Sequence, residues 1–319
     1  MSSNRHFLPR VSVALPVYNG QQFLAEAIRS ILAQTFTDFE LIICDNASTD
    51  GTGVICREFA AADSRIRYYR NDTNIGAAPN FNRAFELARA EYFKWAAHDD
   101  ICLPAFLKDC VAALDADPSV VLCTTETNWI DEHGMAIEKR DRLLNHIASV
   151  RPERRFRDLI LQRHYCTDVF GLIRRSELQK TRLIGNYVNS DRVLLAELGV
   201  RGRFERVPRV HFLSRDHKSR SIRSLALRER SAWFNTAHRG RVILPYWRTL
   251  GEYLKVVFRV PLCTRTRVSC LALLFEWPLR NRRYLWADLK QACRHWYRHA
   301  SPASPGNNRP AAIENARQP

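Results

Sequence analysis

The 319-residue chain is 46% hydrophobic and 26% charged, with 12 Gly and 14 Pro; this composition excludes a disordered polymer, and the length allows a substantial core. Its formal charge of +16 is unevenly spread: residues 1–150 carry 14 Lys and Arg against 20 Asp and Glu, and residues 151–319 carry 35 against 13. The basic second half points either to an anionic partner (nucleic acid, anionic lipid or a phosphorylated substrate) or to a solvated basic surface.

The N-terminal MSSNRHFLPR lacks the apolar stretch of a signal peptide. Residues 11–16 (VSVALP) form a short β-rich run closed by the turn YNG. Residues 21–34 then place Phe23, Leu24, Ala27, Ile28, Ile31 and Leu32 at helical spacing, with one buried face. A second buried strand is predicted at 39–44 (FELIIC). Residues 45–53 are dense in Asn, Asp, Ser, Thr and Gly and read as a loop. A helix follows at 53–62, a third strand at 66–70, a helix at 80–89, and a fourth strand at 92–96 that ends at His98-Asp99-Asp100. Residues 106–114 read as a helix and 120–124 as a strand. Such alternation implies an α/β fold, a mostly parallel central sheet covered by helices on both faces. Ligands bind at the carboxyl ends of the strands in such sheets, where YNG, DNASTDGT and HDD fall.

Past residue 150 the pattern loosens. A short helix at 192–199 is opened by Asn189-Ser190-Asp191, and an extended stretch at 204–212 leads into SRDHKSRS. From about residue 226 Trp, Arg and aliphatic residues mix in successive helical stretches. The domain reading is 1–225 catalytic, 226–299 a helical, basic, amphipathic C-terminal region, and 300–319 a Pro/Asn/Ala-rich disordered tail. The apolar run 268–275 stops at Glu276, and no uncharged run approaches the ~20 residues that span a bilayer. Nine cysteines, an odd number without a CxxC pair, read as small core hydrophobes in a reducing compartment. The expected location is therefore cytoplasmic.

The chemistry concentrates in PVYNG, 18 intervening residues, and FELIICDNASTDGT. Asp45, directly after a buried strand, can accept the N–H of a nucleobase. Asn46, Ser48, Thr49 and backbone N–H groups can bind ribose and phosphate, or the loop is an Asx-turn capping the next helix. This stretch closely resembles the opening of the family 2 glycosyltransferases: a P-x-Y-N turn, an E-x-[IL]-x-S-[IL]-x-x-Q-T helix and a D-[DN]-x-S-x-D-G-[ST] loop. The resemblance continues through Asn74-Ile75-Gly76 and EYFKWAAHDD. It covers about residues 10–135 strongly and 165–220 weakly.

The resemblance implies the GT-A-type nucleotide-diphospho-sugar transferase fold, a nucleotide-diphosphate sugar donor and a divalent cation, Mg²⁺ or Mn²⁺. Carried over by position, it has Pro16, Val17, Tyr18 and Asn19 lining base and ribose, Asp45 on the base edge, and Gly76 and Asn80 near ribose and diphosphate. Asp99 aligns with the metal-binding Asp of the family's D-x-D motif. The first Asp of that motif is replaced here by Ala97. His98 either takes over the ribose contact or is a linker side chain. Asp100 reads as structural, before a helix.

Direct displacement needs a base for the acceptor hydroxyl and inverts the anomeric centre through an oxocarbenium-like state. Asp191, in NSDRVLLAELGVRGRF, resembles the family's acceptor-side segment; the alternative is a helix cap. His217 resembles a His that reaches the metal or diphosphate, with Arg215, Lys218 and Arg220 beside it as counter-charges. In residues 247–261, Trp247, Leu250, Leu254 and Val257 form one stripe and Arg248, Glu252, Lys255 and Arg259 another. This is either a membrane-interface helix or a face packed on the catalytic domain.

The sequence thus reads as an inverting glycosyltransferase of polysaccharide or glycolipid assembly, with a glycan or lipid-linked acceptor. Its place would be the cytoplasm or, peripherally, the anionic cytoplasmic face of the membrane. The alternatives are a degenerate, non-catalytic nucleotide-sugar or polyanion-binding protein, for which Ala97 speaks, and a sugar-nucleotidyltransferase, for which YNG lacks the Gly-rich basic phosphate loop. No nucleic-acid-binding motif is present.

Overall fold

A computed structural model describes residues 8–138, 144, 147–218 and 244–300, the side chains of 295–300 excepted. The expected boundary at 225/226, Arg220 and the tail beyond residue 300 lie outside the described residues.

The first half follows the expected alternation: β1 (Val11–Val17), α1 (Leu24–Leu32), β2 (Phe39–Asp45), α2 (Thr52–Ala62), β3 (Ile66–Arg70), α3 (Ala77–Glu86), β4 (Tyr92–Trp95), β5 (Ile101–Cys102), α4 (Phe106–Ala116), β6 (Val120–Ile130) and β7 (Ala136–Ile137). The rest comprises α5 (Pro152–Leu161), a 3₁₀ turn (Thr167–Phe170), β8 (Leu172–Arg174), α6 (Arg175–Leu178), α7 (Ser190–Arg201), β9 (Arg203–Arg215), α8 (Pro245–Arg259) and α9 (Thr264–Ala300). The strands form a sheet in the order β3-β2-β1-β4-β8-β6-β9-β5, with β7 on β6. The long ladders, β1 with β2 and β4, β2 with β3, and β6 with β9, are parallel. The antiparallel pairings at β4–β8, β6–β8, β6–β7 and β5–β9 are two residues long.

Every residue of β1 and β2 is buried, as a strand covered on both faces requires. Period-two alternation sends Val11, Val13, Leu15, Leu41 and Ile43 toward α1, α2 and α4 in one apolar cluster. Ala14, Ile42, Cys44, Phe93 and Trp95 enter a second cluster with α3, α5 and α7. The polar members of that face are paired: Ser12 donates to Glu40 at 2.7 Å, and Arg67 meets Glu40 at 2.7 Å. Tyr253, Val256 and Val257 of α8, with Cys270, Leu274, Trp277 and Leu285 of α9, belong to the same second cluster.

The stripe expected on α8 is rotated. Its buried face is Thr249, Glu252, Tyr253, Val256 and Val257, while Trp247 and Leu254 are exposed. The inward Glu252 is paired with Lys255, 2.9 Å away on the same helix.

Candidate functional site

The parallel strands β1, β2 and β4 end side by side, Val17 paired with Asp45 and Ala14 with Trp95. Their following loops therefore meet. In the YNG turn, Asn19 takes a positive φ of 51°, Tyr18 is exposed and Pro16 and Val17 are buried. Asn19 fastens the turn to the next loop: its backbone N–H donates to Ser48 Oγ at 3.0 Å, and its Oδ1 accepts Thr49 N–H at 2.9 Å. Gly20 N–H donates to Thr52 Oγ1 at 2.9 Å. A Cβ on Gly20 would stand 2.7 Å from the His98 ring and from Val17 Cγ2. Only glycine lets His98 lie against the turn.

Asp45 reaches the strand end as expected, but its carboxylate is closed off. It is fully buried; Oδ1 accepts Ser48 N–H at 2.8 Å, Oδ2 accepts the Tyr68 hydroxyl at 2.9 Å, and Arg70 stands 3.3 Å away. Burial and the adjacent Asp45 charge push the Tyr68 phenol up. Direct contact with a base needs Tyr68 or Arg70 to give way. The Asx-turn reading of the loop also holds. Asp50 accepts the N–H of Thr52 at 3.0 Å and of Gln21 at 3.2 Å. Burial pushes the Asp50 carboxyl up, but those hydrogen bonds outweigh it and leave it below its ordinary value. Burial also pushes the neighbouring Cys44 thiol up to about 12, so it is no thiolate at neutral pH.

Asn46 and Asn80 are turned inward. Asn46 donates to Asn74 Oδ1 at 2.9 Å and accepts Asn71 Nδ2 at 2.8 Å and Ile75 N–H at 3.0 Å. Asn80 donates to the carbonyl of Cys44 at 2.8 Å and accepts Asn71 Nδ2 at 3.0 Å. Both amides tie the loop after β3 to the end of β2. Gly76, at φ 90°, is the N-cap of α3 and accepts from Asn46 at 3.2 Å; only glycine adopts that conformation without strain.

Asp99 and His217 are brought together from β4 and the end of β9. His217 Nε2 stands 2.9 Å from Asp99 Oδ2, both side chains are largely buried, and His217 Nδ1 has no hydrogen-bond partner among the described residues. The His217 ring lies 4.8 Å from that of Phe23. Two cis ligands of an octahedral cation, each at about 2.1 Å, stand about 3.0 Å apart. The separation is compatible with two ligands of a hard divalent ion, and equally with the direct hydrogen bond that joins the two side chains here. Among the described residues no group of three or more His, Cys, Asp or Glu side chains is placed to hold a metal.

Arg215, expected as a counter-charge facing diphosphate, is buried beneath this pair instead. Its Nε donates to the Asp99 carbonyl at 2.9 Å, Nη1 to the Asp131 carbonyl at 3.2 Å and Nη2 to Glu26 at 2.6 Å, over the Phe23 ring. Asp100, read as structural, accepts the backbone N–H of Arg215 at 2.8 Å, while the N-cap of α4 is Ala105. The polar positions of the E-x-[IL]-x-S-[IL]-x-x-Q-T helix find their purpose here. Glu26, Ser30 and Gln34 are four residues apart and share a helix face. Glu26 grips Arg215, Ser30 Oγ accepts Cys102 N–H at 3.2 Å, and Gln34 donates to the Leu103 carbonyl and accepts Leu107 N–H. Sequence reasoning read this helix only by its apolar face and missed those polar roles. The four-residue spacing was the available signal.

Asp191 comes from another layer, in the first turn of α7, which packs on α5 and α8. It is half-buried, and its Oδ1 accepts the N–H of Arg192 at 2.8 Å. That N–H is one of the free donors of the helix start, but the N-cap position is Asn189, which makes no side-chain cap hydrogen bond.

A sequence profile described as Glycosyl transferase family 2 matches residues 12–182. EpsE of Bacillus subtilis strain 168, provisionally designated a glycosyltransferase, is 38% identical over 128 residues, which are 40% of this chain and 46% of EpsE. Glycosyltransferase GlyG of Streptococcus pneumoniae serotype 4 is 37% identical over 91 residues, 28% of this chain and 30% of GlyG. The match thus spans under half the length of either relative. Among solved structures, S. aureus TarS 1–349 in complex with UDP-GlcNAc superposes with a TM-score of 0.60 at 16% identity, covering 85% of this chain and 72% of that one. The mannosyltransferase PcManGT of Pyrobaculum calidifontis, in complex with GDP-Man and Mn²⁺, gives 0.56 at 19% identity, covering 93% and 77%. At these identities the likeness establishes the fold, GT-A, as expected from the sequence.

Proposed function

The chain belongs to glycosyl transferase family 2, and from that premise we propose that it moves a sugar from a nucleotide-diphosphate donor to an acceptor hydroxyl with inversion, using Mg²⁺ or Mn²⁺. The observation that carries this reading is the Asp99–His217 pair, a carboxylate and an imidazole 2.9 Å apart beside the joined carboxyl-end loops of β1 and β2. PcManGT was solved with a nucleotide-sugar and Mn²⁺, in keeping with a divalent ion here.

The base and ribose lie along Pro16–Asn19, with Tyr18 exposed to stack on them and His98 held beside the turn by Gly20. Asp45, through Tyr68 and Arg70, shapes the base end. Asn46, Ser48, Gly76 and Asn80 fix the loops that face ribose and diphosphate. Asp99 and His217 would hold the cation, which neutralises the departing diphosphate. Asp191 accepts the proton of the attacking hydroxyl. The acceptor is a glycan or lipid-linked sugar in polysaccharide or glycolipid assembly, reached at the cytoplasmic, anionic face of a membrane. The catalytic region comprises residues 1–225, and the later helices supply that contact.

The test is turnover of UDP- and GDP-sugars, with thermal shift, in Mn²⁺ and in EDTA, for the wild type and Asp99→Ala. The expected result is Mn²⁺-dependent turnover that EDTA and Asp99→Ala both abolish. Full activity in EDTA refutes the metal assignment. Donor binding without turnover under any condition identifies a non-catalytic binding protein instead.

A further inference from the structure

A helix lying on a protein surface buries an apolar stripe and turns a polar face outward. Helix α9 does not obey this. Its inward face is Cys270, Leu274, Trp277 and Leu285, all buried in the second core cluster. At 100° per residue, Val268, Phe275, Leu279 and Trp286 fall within about 40° of one another on the opposite side. They are 60, 80, 68 and 64% exposed. These are not the rim of a buried stripe; they run along the middle of the outward face for about 27 Å of helix. Contiguous exposed apolar surface of this kind marks a docking site.

The charges around the stripe identify what docks. Residues 264–300 hold eight Arg and Lys but only two acids, Glu276 and Asp288. Both acids are engaged: Glu276 accepts from Arg280 at 2.6 Å, and Asp288 is buried and accepts Tyr246 N–H at 2.7 Å. Arg282 and Arg283 are exposed and fall on either side of the stripe. An apolar ridge with a Trp and basic flanks matches an anionic bilayer surface, where apolar side chains enter the acyl boundary and guanidinium groups meet phosphates. No helix among the described residues is long and apolar enough to cross a membrane.

We propose that the outward face of α9, centred on Phe275, Leu279 and Trp286 with Arg282 and Arg283 beside them, is the surface by which this protein lies on an anionic membrane. This assigns the membrane contact of the proposed function to one helix face, on α9 rather than α8. It does not depend on the transfer chemistry, so donor turnover is measured on the same samples to separate the two.

The experiment is sedimentation of the full chain with phosphatidylglycerol/phosphatidylcholine vesicles and with pure phosphatidylcholine vesicles, at low and high salt. The wild type is expected to partition onto the anionic vesicles, less so as salt rises, and little onto the neutral ones. Phe275→Ser/Leu279→Ser/Trp286→Ser should lower that partitioning at least ~10-fold. Arg282→Gln/Arg283→Gln should lower it about fivefold for each cation removed. Neither set touches the donor site, so turnover of a soluble donor should be unchanged, which also verifies folding. Equal binding to both vesicle types, or unchanged binding by the triple variant, overturns the proposal. So does a wild-type dimer in analytical ultracentrifugation that the triple variant abolishes, since a second copy would then cover the face.

Discussion

Arg215 is 1% exposed, and a guanidinium can be kept there because its nitrogens find two backbone carbonyls and a carboxylate. Arg215→Met keeps the stem and removes the donors. Glu26 is half exposed and can return to water, but the Asp99 and Asp131 carbonyls lose their partner. Leaving such carbonyl acceptors without these donors costs about 1–3 kcal/mol, to be read as a lower urea midpoint. If Arg215 positions Asp99, the Mn²⁺ concentration for half-maximal turnover must also rise; a purely structural residue would leave it unchanged. The PVYNG turn was legible because strand, turn and loop residues follow one another at fixed spacings; Asp99 and His217 were singled out only through the family resemblance, and what the structure adds is that the two side chains meet. Arg215 was not legible. It is one of 49 cationic residues, and nothing local distinguishes a buried Arg from a solvated one. The inward turn of Asn46 and Asn80 was hidden for a related reason: an amide at a strand end serves a ligand or a neighbouring loop equally well.

At the next scale, α7 presents Asp191 from a first turn whose N-cap, Asn189, takes a left-handed φ of 70°. Gly199 sits near the other end of the same helix, where a Cβ would lie 2.3 Å from Leu159 Cδ1, so α7 and α5 approach closely there. Asp191→Asn preserves the hydrogen bond from the Arg192 N–H but not the proton acceptor. Turnover should fall by about 10²–10⁴-fold with donor affinity little changed, in steady-state kinetics beside direct donor binding. Loss of donor binding with normal turnover at saturation would move Asp191 to the donor site. The strands and helices of the first 120 residues were legible within a few residues of their ends, because β1 and β2 are mostly apolar runs and α1 has a clear face. The short strands β5, β7 and β8 were not, since two or three residues carry no periodicity. The face of α8 was misjudged because it mixes Tyr, Val, Trp and Leu around its circumference, and only packing decides which of them go inside.

Across the whole molecule, the C-terminal helices are not an appendage, since Tyr253, Val256, Val257, Trp277 and Leu285 share a cluster with Phe93, Trp95 and Leu195. Deleting residues 245–319 should therefore abolish cooperative unfolding, measured by circular dichroism, rather than yield a folded catalytic half without membrane affinity. A cooperative transition in that truncated chain would make the helices dispensable. Composition could not reveal this, because the residues that fill a neighbour's core and those that meet a membrane are the same types. The β6–β9 ladder, Val120 against Arg203 through Ile130 against Arg215, has a kinetic consequence. It must close across α5, β8 and α7, the kind of distant parallel pairing that slows folding. During synthesis β1–β4 and α3 emerge first, and α5 and α7 later cover the same side of the sheet; the outer faces of α5 and α7 then stay open until α8 and α9, which pack on them, have left the ribosome.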